Sequence, residues 1–245
     1  MKISIITVCW NSAATIEKTI QSVASQTYDD IEYIIVDGKS KDSTLDIVKK
    51  YPDTVKKWIS EPDRGLYDAM NKGIRMATGD YIGIVNADDT FFDETVIQQI
   101  ADFVKEHAVE VMLGDIVQHN EAGKVLRRYS AKKWLPEKLK IGFMPAHPAM
   151  FVRRDVFDRV GAYRLDFKIG ADYEWMTRAF LKQGVLWKYS GITTHKMLIG
   201  GVSSSGWKSY KKVSEEIKKA LQMNNISFSP FRIDTRVVWK VLDFI

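Results

Sequence analysis

The chain has 245 residues, 45% of them hydrophobic and 27% charged, which suits one large α/β domain or one domain with an appendage. The formal charge is +5, but acids are interleaved with bases over most of its length, so the balance points to no nucleic-acid partner and at most to anionic ligands or an anionic membrane face. A single cysteine excludes a disulfide framework and fits a reducing cytoplasm, MKISIITVCW carries no signal-peptide pattern, and no stretch approaches the ~18–20 uninterrupted apolar residues of a membrane span.

Residues 2–10 (KISIITVCW) are apolar and β-branched and predict a central strand, with Asn11 and Ser12 as candidate N-caps of a helix carrying Ile16, Ile20, Val23 and Ala24. IEYIIVD, 31–37, predicts a second strand and 43–51 a helix, with Asp42 or Ser43 as its cap. VKKWIS, 55–60, predicts a third strand. Residues 66–77 predict a helix with Tyr67, Met70 and Ile74 on one face, and YIGIV, 81–85, a fourth strand. Residues 93–106 predict a helix with Val96, Ile97, Ile100 and Val104 inward, and VEVMLG, 109–114, a fifth strand. This alternation predicts an α/β fold: a mostly parallel, Rossmann-like sheet with right-handed crossovers and helices on both faces. Beyond about residue 115 the rhythm changes. A hairpin is expected over 116–130, turning at 120–123, then a strand at 149–153, a helix over 171–183 and a strand in VLWKYS. Two amphipathic helical patterns follow from Gly206, through Trp207, Tyr210, Val213, Ile217 and Leu221, then Ile233, Val237, Val241 and Ile245.

Parallel sheets of this kind bind ligands beyond the carboxyl ends of their strands. Those ends read Cys9-Trp10-Asn11, Asp37-Gly38, Glu61-Pro62-Asp63-Arg64-Gly65 and Asn86-Ala87-Asp88-Asp89. The last raises a physical question, because adjacent carboxylates ending a core strand repel each other and are expensive to bury unpaired. Water or a hard divalent cation such as Mg²⁺ or Mn²⁺ would relieve them; so would a plain aspartate-rich turn, with Asp89 capping the next helix. Asp37 can accept from a nucleobase or ribose, and Gly38 allows close backbone approach, although a simple turn needs the same pair. Arg64 can reach a phosphate or stack on a base. Asp68 and Asn71 share a helix face among apolar neighbours and need partners, from ligand or protein. Of Asp172 and Glu174, which cannot both face one way on a helix, one can serve as a general base, or both can simply complement the helix dipole. His107 and His119 read as surface residues. His147 and His195, near prolines and glycines, suit either a structural role or contact with a diphosphate or metal. G-x-G-x-x-G, the P-loop, H-E-x-x-H, G-x-S-x-G and C-x-x-C are all absent.

Together, ISIITVCWNSAATIEKTIQSVASQTYDDIEYIIVDGKSKDST and EPDRGLYDAMNKGIRMATGDYIGIVNADD resemble the inverting GT-A glycosyltransferases of family 2, particularly those that build bacterial surface polysaccharides of the colanic-acid and O-antigen type. HPAMFVRRDVF, GADYEWMTRAF and MLIGGVSS extend the likeness over about residues 2–205. The resemblance implies a GT-A domain over 1–205, with a nucleotide-sugar half (1–115) and an acceptor half (116–205), followed by a helical extension at 206–245. It implies that Thr7, Cys9, Asn11, Asp37 and Gly38 hold base and ribose, with Arg64, Asp68, Asn71 and Asn86 beside them. It further implies that Asp88 and Asp89 meet ribose and a divalent metal, that Asp172 is the catalytic base, and that Glu174 lies on the acceptor side. Two positions depart from the family pattern: Asn86 stands where many relatives have aspartate, and Asp37-Gly38-Lys39 replaces a more usual double aspartate, which leaves UDP-sugar as a default donor only.

The expected acceptor is a glycan or a polyprenyl-diphosphate-linked sugar, in the cytoplasm at the inner face of the membrane. Lys208, Lys211, Lys212, Lys218 and Lys219 in the first tail helix, and Arg232, Arg236, Trp239 and Lys240 in the second, suit peripheral contact with an anionic surface; they suit equally helices packed on the domain or paired in a homodimer. Two competing readings are a non-catalytic nucleotide-sugar or glycan-binding scaffold and a sugar-1-phosphate nucleotidyltransferase. The second calls for a Gly-rich phosphate loop with an arginine after the first strand, and Cys9-Trp10-Asn11-Ser12-Ala13 has none.

Overall fold

The elements of the first half follow in the order β1 (Ile3–Cys9), α1 (Ile16–Ala24), β2 (Ile31–Asp37), α2 (Thr44–Val48), β3 (Lys57–Ser60), α3 (Leu66–Met76), β4 (Tyr81–Ile84), β5 (Thr90–Phe91) and α4 (Val96–His107). The second half adds β6 (Val111–His119), β7 (Val125–Tyr129), β8 (Met150–Arg153), α5 (Arg154–Val160), α6 (Ala171–Met176), β9 (Trp187–Leu198), α7 (Gly206–Met223) and α8 (Pro230–Asp234). The computed structural model describes residues 1–120, 122–199 and 206–236, with backbone alone at 206–208. The expected 200–205 segment and the tail pattern through Val237, Trp239, Lys240, Val241 and Ile245 lie outside the described residues.

Every residue of β1 is buried. Ile6 and Val8 enter one core, with β2 residues Ile34 and Val36 and α3; Ile3, Ile5 and Cys9 enter the other, with α1 and α4. A strand covered on both faces has no polar side, which is why β1 reads as an apolar run and not as an alternation. The strands lie in the order β3-β2-β1-β4-β8-β6-β9-β5, with β7 paired to β6. β3, β2, β1 and β4 are mutually parallel, β8 runs antiparallel between β4 and β6, and β9 runs parallel to β6. Register aligns Cys9 with Asp37 and Asp37 with Ser60, so three strands finish on one line.

Several local expectations are corrected. Asn11 and Ser12 do not cap α1 with their side chains; Thr15 is the N-cap, and the Ser12 carbonyl accepts from the Thr15 and Ile16 amides. Asn11 instead takes a left-handed backbone (φ 49°), donates its amide to Ser40 Oγ at 2.8 Å, and accepts from the Lys41 amide at 2.8 Å, tying the loops after β1 and β2 together. The two-residue β5 was not foreseen. β9 extends well past VLWKYS and takes His195 into the sheet, opposite Phe91 of β5.

The tail helices pack onto the sheet domain. Ile217, Ala220, Leu221 and Ile233 are buried in the same core as α3 and α6. Lys218 pairs with Asp234 at 2.6 Å and Lys219 with Asp166 at 2.9 Å. Arg236 is buried, donating to Ser214 Oγ and the Ile233 carbonyl, with its guanidinium 4.1 Å from the centre of the Tyr210 ring. These contacts favour packing on the domain over a free basic face for that part of the tail.

Candidate active site

The loops after β1, β2 and β3 form one wall. Asp37 is fully buried, and both its oxygens have protein donors: Oδ2 accepts from the Ser40 amide at 3.0 Å and Ser60 Oγ at 2.6 Å, and Oδ1 from Ser40 Oγ and, at 3.6 Å, the Cys9 thiol. Burial first, then the Asp37 charge, pushes the Cys9 thiol far up, so it is an inert neutral group. Thr7 is likewise buried, its hydroxyl 3.0 Å from Tyr33 Oη. These side chains shape the loops from beneath. What the loops present outward is Trp10, 67% exposed, and Asp63, whose Oδ2 lies 2.4 Å from where a Gly38 Cβ would stand, with Trp10 Cδ1 at 3.4 Å. Only glycine at 38 permits that approach.

α3 connects this wall to the second half. The Arg64 side chain is exposed, and Asp68 accepts from the Arg64 amide at 3.1 Å and its guanidinium at 3.5 Å. Burial raises the Asp68 carboxyl, but Arg64 outweighs it and the net shift is downward. Asn71 is buried; its Nδ2 donates to the Tyr163 carbonyl at 2.8 Å and its Oδ1 accepts from the Tyr163 amide at 2.9 Å. The partners demanded by Asp68 and Asn71 are therefore within the protein.

At the end of β4 the two carboxylates separate. Asp88 is exposed, whereas Asp89 is 2% exposed. Asp89 Oδ2 accepts from Asn86 Nδ2 at 2.8 Å, its amide donates to the Asn86 carbonyl at 3.1 Å, and its own carbonyl accepts from Thr19 Oγ1 at 2.8 Å. Burial, then the Asp88 charge, raises the Asp89 carboxyl to about 7 against the Asn86 hydrogen bond. Such a pair suits a hard divalent cation, since adjacent carboxylate oxygens are the donors Mg²⁺ and Mn²⁺ take and a positive charge would relieve both. Among the described residues no group of three or more His, Cys, Asp or Glu side chains converges on such an ion.

Asp172 opens α6. Its Oδ1 accepts from the Tyr173 amide at 2.8 Å and lies 3.1 Å from Tyr67 Oη, whose single proton is shared between Asp172 and the Ile169 carbonyl. His147 Nε2 lies 2.8 Å from Tyr163 Oη. Burial lowers His147, opposed by the Asp172 charge, so the two are electrostatic neighbours. His195 is lowered to about 3, first by burial and then by His147, and is a neutral ring against Phe91 at 4.9 Å between centroids. Its Nδ1 lies 2.8 Å from Thr194 Oγ1, while Nε2 is buried without a hydrogen-bond partner among the described residues. A chain of contacts runs from Asp172 through Tyr67 and Tyr163 to His147. Glu174 sits apart, 1% exposed, paired with Arg178 at 2.9 Å and accepting from Asn224 at 3.1 Å. Read from the sequence, Trp10 and Asp63 have a place at the strand ends and Tyr67 on a helix face, without a role of their own, and Tyr163 has none. A tyrosine on an apolar helix face is the available signal, because its hydroxyl must find a partner when buried.

The family model for glycosyl transferase family 2 matches residues 4–161. The chain belongs to glycosyltransferase family 2. A PGL/p-HBAD biosynthesis glycosyltransferase of Mycobacterium bovis is 29% identical over 225 residues, covering 90% of this chain and 84% of that one. Among solved structures, residues 1–349 of Staphylococcus aureus TarS in complex with UDP-GlcNAc align with a TM-score of 0.71 at 21% identity, over 96% of this chain and 70% of that one; against a longer TarS chain the match spans 39% of that chain. A mannosyltransferase of Pyrobaculum calidifontis in complex with GDP-Man and Mn²⁺ aligns at 0.63 and 19% identity, over 95% and 67%. The fold of this family 2 transferase is therefore GT-A, as the strand order indicates.

Proposed function

We propose that this family 2 transferase moves a sugar, with inversion, from a nucleoside-diphosphate sugar to a hydroxyl of a glycan or polyprenyl-diphosphate-linked acceptor in surface-polysaccharide assembly. One observation carries the reading: Asp172 is fixed at Oδ1 by the Tyr173 amide and by the Tyr67 hydroxyl, whose one proton it shares with the Ile169 carbonyl, while among the described residues Oδ2 receives no hydrogen bond and the side chain stays partly exposed. That is the arrangement a general base needs, fixed by one oxygen and open at the other.

In this reading the base and ribose lie on the loops after β1, β2 and β3. Trp10 offers a stacking face and Asp63 an acceptor, positioned by Asn11, Asp37 and Gly38. Arg64, anchored by Asp68, reaches a phosphate. Asp88 and Asp89 would hold Mg²⁺ or Mn²⁺, which when bound would supply positive charge to a diphosphate. The acceptor oxygen attacks the anomeric carbon from the face opposite the diphosphate, the carbon–oxygen bond to the diphosphate breaks, and the hydroxyl proton passes to Asp172 Oδ2. Neutral His147 and His195 border the site without adding charge. Among the described residues no helix is long and apolar enough to cross a membrane.

Calorimetric titration of UDP, GDP, dTDP and CDP, each with Mn²⁺ and with EDTA, tests the donor site. One nucleotide binding tightly only with metal is the expected result and names the donor class. No binding by any of them to folded protein would overturn the reading in favour of a scaffold.

A further inference from the structure

The C-terminal helix α7 reaches back to the segment that carries Asp172. Glu216 Oε1 accepts from the Lys168 amide at 2.9 Å, and Oε2 accepts from the Ile169 and Gly170 amides at 2.9 and 2.7 Å. Gly170 is the N-cap residue of α6 and has no side chain with which to cap it. A Cβ there would lie 3.3 Å from both Glu216 Cβ and Oε2, tighter than ordinary contact. One carboxylate from a distant helix therefore satisfies three consecutive amides ahead of α6 that would otherwise need partners. Two further residues of α7 and its C-terminal turn extend the grip. Lys219 donates to the Asp166 carbonyl at 2.7 Å and carboxylate at 2.9 Å, and Asn224 donates to Glu174 at 3.1 Å. The segment 166–174 is held at its start, middle and end.

The middle contact bears on chemistry. The Ile169 amide is fixed by Glu216, and the Ile169 carbonyl accepts from Tyr67 Oη, the same hydroxyl that touches Asp172 Oδ1. The turn, the tyrosine and the carboxylate form one connected hydrogen-bonded unit, and such units act cooperatively.

We propose that Glu216 is a positioning residue for the transfer reaction: by holding the amides of Lys168, Ile169 and Gly170 it fixes the turn that sets Tyr67 and aims Asp172 at the acceptor hydroxyl. This rests on Asp172 being the base. α7 is then part of the catalytic apparatus and, like Asp172, lies outside the residues matched by the family model.

The test uses the full chain with Glu216→Ala, Glu216→Gln and Glu216→Asp, Asp172→Asn, and the exposed neighbour Glu215→Ala as control. Nucleoside-diphosphate release, with water as acceptor, is followed from UDP-GlcNAc or from GDP-mannose, dTDP-rhamnose or CDP-glucose if the titration selects another base. Glu216→Ala should lower kcat at least tenfold while Mn²⁺-dependent nucleotide affinity stays within twofold, and Glu216→Asp should restore part of the rate. In an Asp172→Asn background Glu216→Ala should change the residual rate less than twofold, because the effect runs through Asp172. Amide exchange over 168–170 should quicken at least tenfold in Glu216→Gln, with α3 unchanged; that isosteric variant also serves if the alanine does not fold. Full kcat in Glu216→Ala or Glu216→Gln, or an equal loss in the Asp172→Asn background, or unchanged exchange at 168–170, would overturn the proposal. Wild-type turnover in Asp172→Asn would instead remove the base assignment itself, so the two failures are distinguishable.

Discussion

Asn71 should be the most stability-critical polar residue of α3. It joins the first half of the chain to the second by two hydrogen bonds to one residue, donating to the Tyr163 carbonyl at 2.8 Å and accepting from its amide at 2.9 Å, and it is 4% exposed. Replacing it with leucine keeps the volume but strands both backbone groups of Tyr163 in a dry site. An unsatisfied buried group costs about 1–3 kcal/mol, so two cost roughly 2–4 kcal/mol once local rearrangement recovers part. Against a total stability of about 5–15 kcal/mol that is a large fraction. With a urea m-value of about 3 kcal/mol/M the midpoint should fall by roughly 1 M, and the melting temperature by roughly 5–15 °C. Asn71→Asp retains the acceptor for the Tyr163 amide but sets a carboxylate against the Tyr163 carbonyl, so it should be no better than leucine at neutral pH. A leucine variant within 0.5 kcal/mol of wild type, with unchanged m-value, would refute this account of the clamp.

Three further outcomes follow from buried charge and close approach. Asp89 is raised to about 7 in the folded chain, so the folded state holds its proton more tightly than the unfolded chain does; the stability this confers is complete below the unfolded value near 3.8 and is lost as pH rises through 7. In EDTA, urea midpoints should therefore drop between pH 5 and pH 8 by a part that Asp89→Asn removes, with a ceiling of about 3 kcal/mol over that window, and added Mn²⁺ should flatten the wild-type slope. Glu174→Gln leaves Arg178 without its anionic partner in a site where Glu174 is 1% exposed and should cost about 3–5 kcal/mol by denaturant unfolding, whereas losing both charges together should cost less. Gly38→Ala drives a methyl group into Asp63 Oδ2, which sits at the end of a side chain and can yield, so stability should change little while nucleotide affinity by calorimetry falls about tenfold.

The parallel half of the sheet was legible because strands buried on both faces leave long apolar runs, and residues 31–37 were placed to the residue. β5 was invisible because two residues carry no period, and the expected strand in VLWKYS stops well short of Leu198, where β9 ends. The strand-end logic located the wall that carries Asp37, Gly38 and Arg64, and local spacing marked Asp68 and Asn71 as needing partners. It could not supply those partners, since Asn71 meets Tyr163 across 92 positions and Glu216 meets Gly170 across 46. Long-range hydrogen bonds of this kind leave no periodic trace in either segment.

The end of β4 shows why a core strand can finish in two carboxylates. Asp88 and Asp89 lie beyond Ile84, the last residue of β4, in a turn where one aspartate can face solvent while its neighbour is buried. Asp88 takes the exposed position and Asp89 the buried one, where Asn86 supplies one hydrogen bond and Thr19 fixes the Asp89 carbonyl from α1. An aspartate in place of Asn86 would remove that donor and add a third negative charge beside a carboxyl already raised to about 7. Asparagine at 86 therefore does what an ionised carboxylate there could not do: it holds Asp89 in place by donating a hydrogen bond. Asn86→Asp should make folding itself depend on divalent cation, with urea midpoints in EDTA falling well below wild type and recovering on addition of Mn²⁺. An equal midpoint for the two proteins in EDTA would show that the turn does not depend on the Asn86 donor.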